Sequence, residues 1–344
     1  MASVWMKRGI ALLNENTTAS LTGSLHCFDR AIELRRSLPL RETPWYRYLL
    51  AAGWMNRGDA LTRLGTTENL AAAVLSYDEA LALLQTLDLT NDPRFRKRLA
   101  LAWMNRGVTL QAEGTVSSVR DALASFDEAL SLFRDPAAVD NTEARSILAC
   151  GLTNRGNALL LIQPAAPAPA RASVEEALAL IAGIEQYEFS AAETGLKARY
   201  ILCRAIALQL ADQDVPAASK DLVAAVTDAV DDAMTLARSW EARRECRLRD
   251  LAEELFRFGA RAYQIHQPHF LAEFLLENLD PRLTAGAFPA NQKLHAVASE
   301  TIASALAAIQ REGFRSINTP RFDGFVERVR QLRIAQTRLD ELPR

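Results

Sequence analysis

The chain has 344 residues, 49% hydrophobic and 24% charged, with a formal net charge of −2. That balance gives no ground for general attraction to nucleic acid or membrane surfaces, and no apolar run is long enough for a membrane span. Four cysteines (Cys27, Cys150, Cys203, Cys246) stand singly with no CxxC pair, which speaks against a zinc site or a disulfide framework and for reduced, buried thiols in a cytoplasmic protein.

Five arginines recur every forty-nine residues, at Arg8, Arg57, Arg106, Arg155 and Arg204. Four stand in near copies of one phrase: Trp5-Met-Lys-Arg-Gly, Trp54-Met-Asn-Arg-Gly, Trp103-Met-Asn-Arg-Gly and Leu152-Thr-Asn-Arg-Gly. A fixed period of this length marks stacked repeats. The first unit opens with the helix of Trp5, Gly9 and Leu12, closed by Asn16, and continues in a second helix through Phe28-Asp-Arg-Ala-Ile. The next unit predicts a long helix from Thr43 to Leu64, ended by Gly65, then a helix through Tyr77-Asp-Glu-Ala-Leu. The third repeats this over Asp92 to Glu113, with Gly114 and Phe126-Asp-Glu-Ala-Leu. Trp54, Gly58 and Leu61 lie at i, i+4 and i+7, one helix face, and the glycine lets a second helix approach closely. Asn16, Gly65 and Gly114 are residues that accept the left-handed conformation past a helix end.

The fourth unit runs from Asn141 to Ile162, through the stiff Pro164-to-Pro169 stretch, to a degraded Val174-Glu-Glu-Ala-Leu that has slipped by one residue. A fifth pair spans Ser190 to Ala211 and Ser219 to Ser239. Helices continue at Leu251 to Tyr263, Pro268 to Leu279, Asn291 to Arg311 and Pro320 to Leu342. The expected architecture is all-α: about seven antiparallel hairpins in a right-handed α-solenoid over residues 1–285, with C-terminal capping helices over 286–344.

The pattern read at Trp54, Gly58, Leu61, Ala73, Tyr77 and Ala80, and again at Trp103, Gly107, Leu110, Ala122, Phe126 and Ala129, resembles the tetratricopeptide repeat. The resemblance is strong over residues 1–140 and fades beyond about 212. That family's period is about 34. The extra residues of each unit are expected in the N-terminal extension of the first helix and in the loop between helices.

Twenty-one residues after each arginine comes an acid: Asp29 after Arg8, Asp78 after Arg57, Asp127 after Arg106, and Glu176 (or Glu175, given the slip) after Arg155. The corresponding position 225 is Ala225. This spacing predicts a buried arginine–carboxylate bridge inside each repeat. Asn56, Asn105 and Asn154 precede the arginines, with Lys7 in the first unit. In tetratricopeptide arrays that position faces the concave surface, where a row of amides can pair with the backbone of an extended peptide. The row resembles the asparagine ladders of O-GlcNAc transferase and kinesin light chain repeats. Met55 and Met104 are expected beside it as adaptable apolar contacts, and Asp59, Arg63 and Asn157 further along the groove.

The resemblance thus implies a cytoplasmic adaptor or scaffold that holds a segment of a partner protein. The alternative is a regulatory subunit docking on an effector enzyme or sensor in bacterial signalling, secretion or defence. A basic segment at Arg238, Arg243, Arg244, Arg247 and Arg249 is interleaved with acids and reads as a solvated helix face. His266 and His269 flank Pro268 with no further ligand nearby, so no metal site is expected. No phosphate-loop, dinucleotide or hydrolase motif occurs, and neither a cofactor nor catalysis is expected.

Overall fold

A computed structural model describes residues 1–90, 92–133, 142–185, 188–211 and 321–341, with a few residues between 298 and 306. Among these residues there is no strand, and no helix is long and apolar enough to cross a membrane. The chain divides into two units, Met1–Ser173 and Val174–Arg344.

The first unit is a stack of helical hairpins. Its helices are α1 (Ala2–Glu15), α2 (Thr18–Arg36), α3 (Pro44–Leu64), α4 (Thr67–Leu84), α5 (Pro93–Glu113), α6 (Val116–Phe133) and α7 (Thr142–Leu161). Each packs on the next, and the first helices of successive hairpins also touch, α1 with α3, α3 with α5 and α5 with α7. This is the solenoid-like, all-α arrangement the period predicts.

The first three hairpins each close through a link of two residues. Asn16, Gly65 and Gly114 take the left-handed conformation (φ 54°, 68° and 72°) and satisfy the helix end. Thr17 and Thr66 follow in extended conformation and cap the second helix. Thr17 Oγ1 accepts from the Ser20 amide while Ser20 Oγ accepts from the Thr17 amide, a reciprocal cap that Thr115 and Ser118 repeat. Such caps contribute about 1 kcal/mol each. The residues beyond a family-length repeat therefore lie outside the hairpin turn. They sit in the start of the first helix, where Pro44 and Pro93 occupy the first turn, and in the connections between hairpins.

The core is built by an aromatic and small residues at fixed places. Phe28, Tyr77 and Phe126 are at most 1% exposed, as are Ala31, Ala80 and Ala129. A Cβ added to Gly9, Gly58 or Gly107 would lie 2.5, 2.7 or 2.6 Å from the ring of Phe28, Tyr77 or Phe126 respectively. The glycine is thus required by the facing aromatic ring. Trp54 and Trp103 pack at the edges of these clusters, and Trp103 touches two successive ones.

The proline-rich stretch is only partly a loop, because α8 (Pro167–Ile181) starts inside it. Proline is tolerated there because first-turn amides have no helical acceptor to lose. In the second unit α9 (Phe189–Ala211) carries Arg199, whose Nη1 lies 2.8 Å from Glu185 Oε2. Gly195 leaves room for that pair, since a Cβ there would be 2.8 Å from both groups. Residues 298–300 and 302–303 are helical, and α10 (Arg321–Asp340) buries Leu332, Ala335 and Leu339. Ser299 accepts a hydrogen bond from Gln336 Nε2 at 3.0 Å. The helices expected at 219–239, 251–263 and 268–279 lie outside the described residues, as do the boundary near 285, the basic segment at 238–249, and His266 and His269.

Candidate functional site

Three of the five recurring arginines are seen to pair with carboxylates, but of the preceding repeat. Arg57 Nε lies 2.8 Å from Asp29, Arg106 Nε 2.7 Å from Asp78, and Arg155 Nε 2.6 Å from Asp127. The expected pairs within one repeat (Arg57 with Asp78, Arg106 with Asp127, Arg155 with Glu176) are corrected by this geometry. The reason is topological. The second helix of one hairpin packs against the first helix of the next, so the nearer acid lies twenty-eight residues back. Arg8, expected to pair with Asp29, is exposed, lies 5.8 Å from the Trp5 ring centroid and makes no ion pair among the described residues.

Each arginine also reaches a serine of its own hairpin. Arg57 Nη1 donates to Ser76 Oγ at 2.7 Å, Arg106 to Ser125 at 2.9 Å and Arg155 to Ser173 at 2.7 Å. Ser76 and Ser125 in turn donate to carbonyls of their own helices. The arginine is therefore a clamp between successive hairpins. It is not buried as expected: the Arg57 side chain is 26% exposed and Asp29 54%. Such pairs contribute little, about 0.2–1 kcal/mol each. Their main effect is to fix register. The serines escaped the sequence reading, although Ser76 and Ser125 share the same interval and Ser173 shares the one-residue slip.

The asparagines are partly exposed on successive first helices. The Asn56 side chain makes no hydrogen bond among the described residues. Asn154 Nδ2 contacts Cys150 Sγ of its own helix at 3.7 Å. Asn105 Nδ2 donates to Asp59 Oδ1 at 3.0 Å, across the seam between α3 and α5. Met55 and Met104 are buried at 6% and 5% exposure, which corrects their expected place on the binding surface. Each instead fills a gap between repeats, as Met104 does against Gly151 of α7. Lys7 and Arg63 are exposed and Asn157 is half-buried.

Asp59 centres a polar cluster that breaks the repeat. Its Oδ1 also accepts from the Tyr77 hydroxyl at 2.6 Å. Alongside, the Thr62 and Thr109 hydroxyls lie 2.8 Å apart, and Thr109 donates to the Asn105 carbonyl at 3.0 Å. One repeat on, the places of Asp59, Thr62, Tyr77 and Thr109 hold Val108, Gln111, Phe126 and Ala158; one repeat back they hold Ile10, Leu13, Phe28 and Ala60. Polar side chains at this seam thus replace mostly apolar ones of the repeats directly before and after it.

Desolvation raises the Asp59 pKa above the usual carboxylate range, opposed by the Tyr77 hydrogen bond, the Arg63 charge and the Asn105 hydrogen bond. Burial, and then the Asp59 charge, hold the Tyr77 phenol far above its ordinary value. Arg63 Nη1 donates to the Leu13 carbonyl at 3.0 Å. The sequence reading placed Asp59, Arg63 and Asn105 on one surface, and the structure brings them together. It missed Tyr77, Thr62 and Thr109, whose signal was departure from the row.

Burial pushes the Cys203 thiol up to about 12, which makes it unreactive. Among the described residues Cys27, Cys150 and Cys203 form no disulfide, and no group of three or more His, Cys, Asp or Glu is placed to hold a metal. No family model matches the chain, and no curated protein matches it either.

Proposed function

We propose that the chain is a tetratricopeptide-like interaction module that holds an extended segment of a partner protein along the face carrying Asn56, Asn105 and Asn154. The reading is supported by one observation above all: three partly exposed amides stand at equivalent places on successive packed first helices. An amide offers both a donor and an acceptor, so such a row can pair with peptide backbone whatever its side chains. The Asp59 hydrogen bond uses one N–H of Asn105 and orients the rest of the amide. Exposed Arg63 on the helix of Asn56, and exposed Lys7 on α1, supply charge selection. The buried Cys27 thiol, in no disulfide among the described residues, supports action in the reducing cytoplasm.

Selection of binding peptides from a random displayed library, followed by fluorescence polarisation of a selected peptide, tests this. Changing Asn56, Asn105 and Asn154 together to Ala is expected to weaken binding at least about tenfold, or 1.4 kcal/mol. Helicity should stay nearly unchanged, with a modest fall in melting from the lost Asn105–Asp59 hydrogen bond. Undiminished binding to the folded triple variant would refute the reading.

A further inference from the structure

Two other arginines interrupt apolar rows of the repeat. Arg35 closes α2 at the place held by Leu84 in α4 and Phe133 in α6, both buried. Arg98 stands on α5 at the place of Leu49 on α3 and Ile147 on α7. Packing alone therefore asks for an apolar side chain at both positions.

The two cations meet at one turn of α3. Arg35 is 5% exposed, and its Nη1 donates to the Leu49 carbonyl. Arg98 lies over the ring of the preceding residue, Tyr48, with its guanidinium carbon 4.3 Å from the centroid. The Nε–H of Arg98 is buried and has no acceptor. Neither arginine forms an ion pair among the described residues. Burial lowers the Arg35 pKa, and the Arg98 charge lowers it further. An unneutralised buried charge is unfavourable, and two of like sign side by side more so. Positions that take Leu, Ile or Phe in neighbouring hairpins thus hold two cations with no counter-charge among the described residues, and Arg98 with a buried N–H left unfilled.

We propose that Arg35 and Arg98 form a binding site for a phosphate-class dianion, seated between α2, α3 and α5 beside the Tyr48 ring. Two positive charges match a dianion, and a tetrahedral oxyanion has enough acceptors to fill the open guanidinium N–H groups together. The aromatic face of Tyr48 holds Arg98 in place by cation–π attraction. This site lies apart from the asparagine row and does not rest on the peptide-binding reading.

Thermal unfolding of the full chain in chloride, inorganic phosphate or acetate, at matched ionic strength, tests it. Phosphate is expected to raise the midpoint saturably, by about 3 °C or more at ten times its dissociation constant. Acetate should give no comparable rise. Arg98→Leu is expected to abolish the phosphate response and to raise the midpoint in chloride, because the unpaired charge is gone. Arg94→Leu, whose charge is already met by Asp92, should keep the response. The proposal is overturned if phosphate does no more than chloride, if acetate matches it, or if Arg98→Leu melts lower in chloride. Equilibrium dialysis with labelled inorganic phosphate gives an independent reading: one ion per wild-type chain supports the site, and none overturns it.

Discussion

The Asp59–Tyr77 pair can be dissected by a mutant cycle that the repeat itself supplies. One hairpin on, the same two places are Val108 and Phe126, so Asp59→Val with Tyr77→Phe rebuilds a pairing the array already tolerates. Tyr77 is 1% exposed, and its hydroxyl lies 2.6 Å from a carboxylate oxygen. Removing that hydroxyl deletes a hydrogen bond to a charged group, about 1.5–3 kcal/mol. Asp59→Val alone leaves the phenol buried without its acceptor, about 1–3 kcal/mol, offset in part by relief of the carboxylate's own desolvation. In the double variant the buried phenol is gone as well and only the partly exposed Asn105 amide loses its acceptor, so the cost should fall well below the sum, with a coupling of about 1–3 kcal/mol. Urea unfolding followed by the fluorescence of Trp54 and Trp103 measures all three variants against wild type. Additivity to within about 0.5 kcal/mol would show that the two groups do not act on each other in solution, and the cluster would lose its meaning.

Gly107→Ala should destabilise, because overpacking against Phe126 costs about 1–3 kcal/mol and the gain in helix propensity returns about 1 kcal/mol. Truncating Phe126 should then cost less in the Gly107→Ala background than in wild type. Arg106→Ala should cost only about 1 kcal/mol, since the Arg106 and Asp78 side chains are 20% and 44% exposed, and the cost should shrink in molar salt. Gln111→Leu should stabilise by about 1 kcal/mol or more, because its buried Nε2 has no acceptor and Leu13 and Leu160 hold the equivalent places. With its pKa raised on folding, Asp59 makes the native state bind more protons than the unfolded chain. Its contribution is therefore most favourable below the unfolded pKa and is lost as pH climbs to the raised folded value. Asp59→Asn should remove that slope, so its stability relative to wild type should grow across this window and level off above it.

The hairpins were legible because period, glycine and aromatic obey one constraint. A ring at 77 needs an absent side chain at 58, and the same pair recurs at 126 and 107. Helix ends were legible for a similar reason, since a left-handed residue followed by a threonine cap leaves little latitude. Partner choice was not legible. Spacing shows that an arginine and an acid recur together, but the interval fits the acid ahead as well as the acid behind, and only packing order selects. Nor does a row position reveal depth: methionine next to a half-exposed asparagine reads as surface until the following helix covers it. The polar seam at Asp59 and the cations at Arg35 and Arg98 were hidden by attention to what repeats. Each is visible only as a break in a row.

The backward reach of the clamp gives the stack a direction. At three successive seams the earlier hairpin offers its aspartate and the later one its arginine, so a duplicated block of forty-nine residues between them would find both partners in place. Such a stack can grow or shrink by whole units without renegotiating its joints.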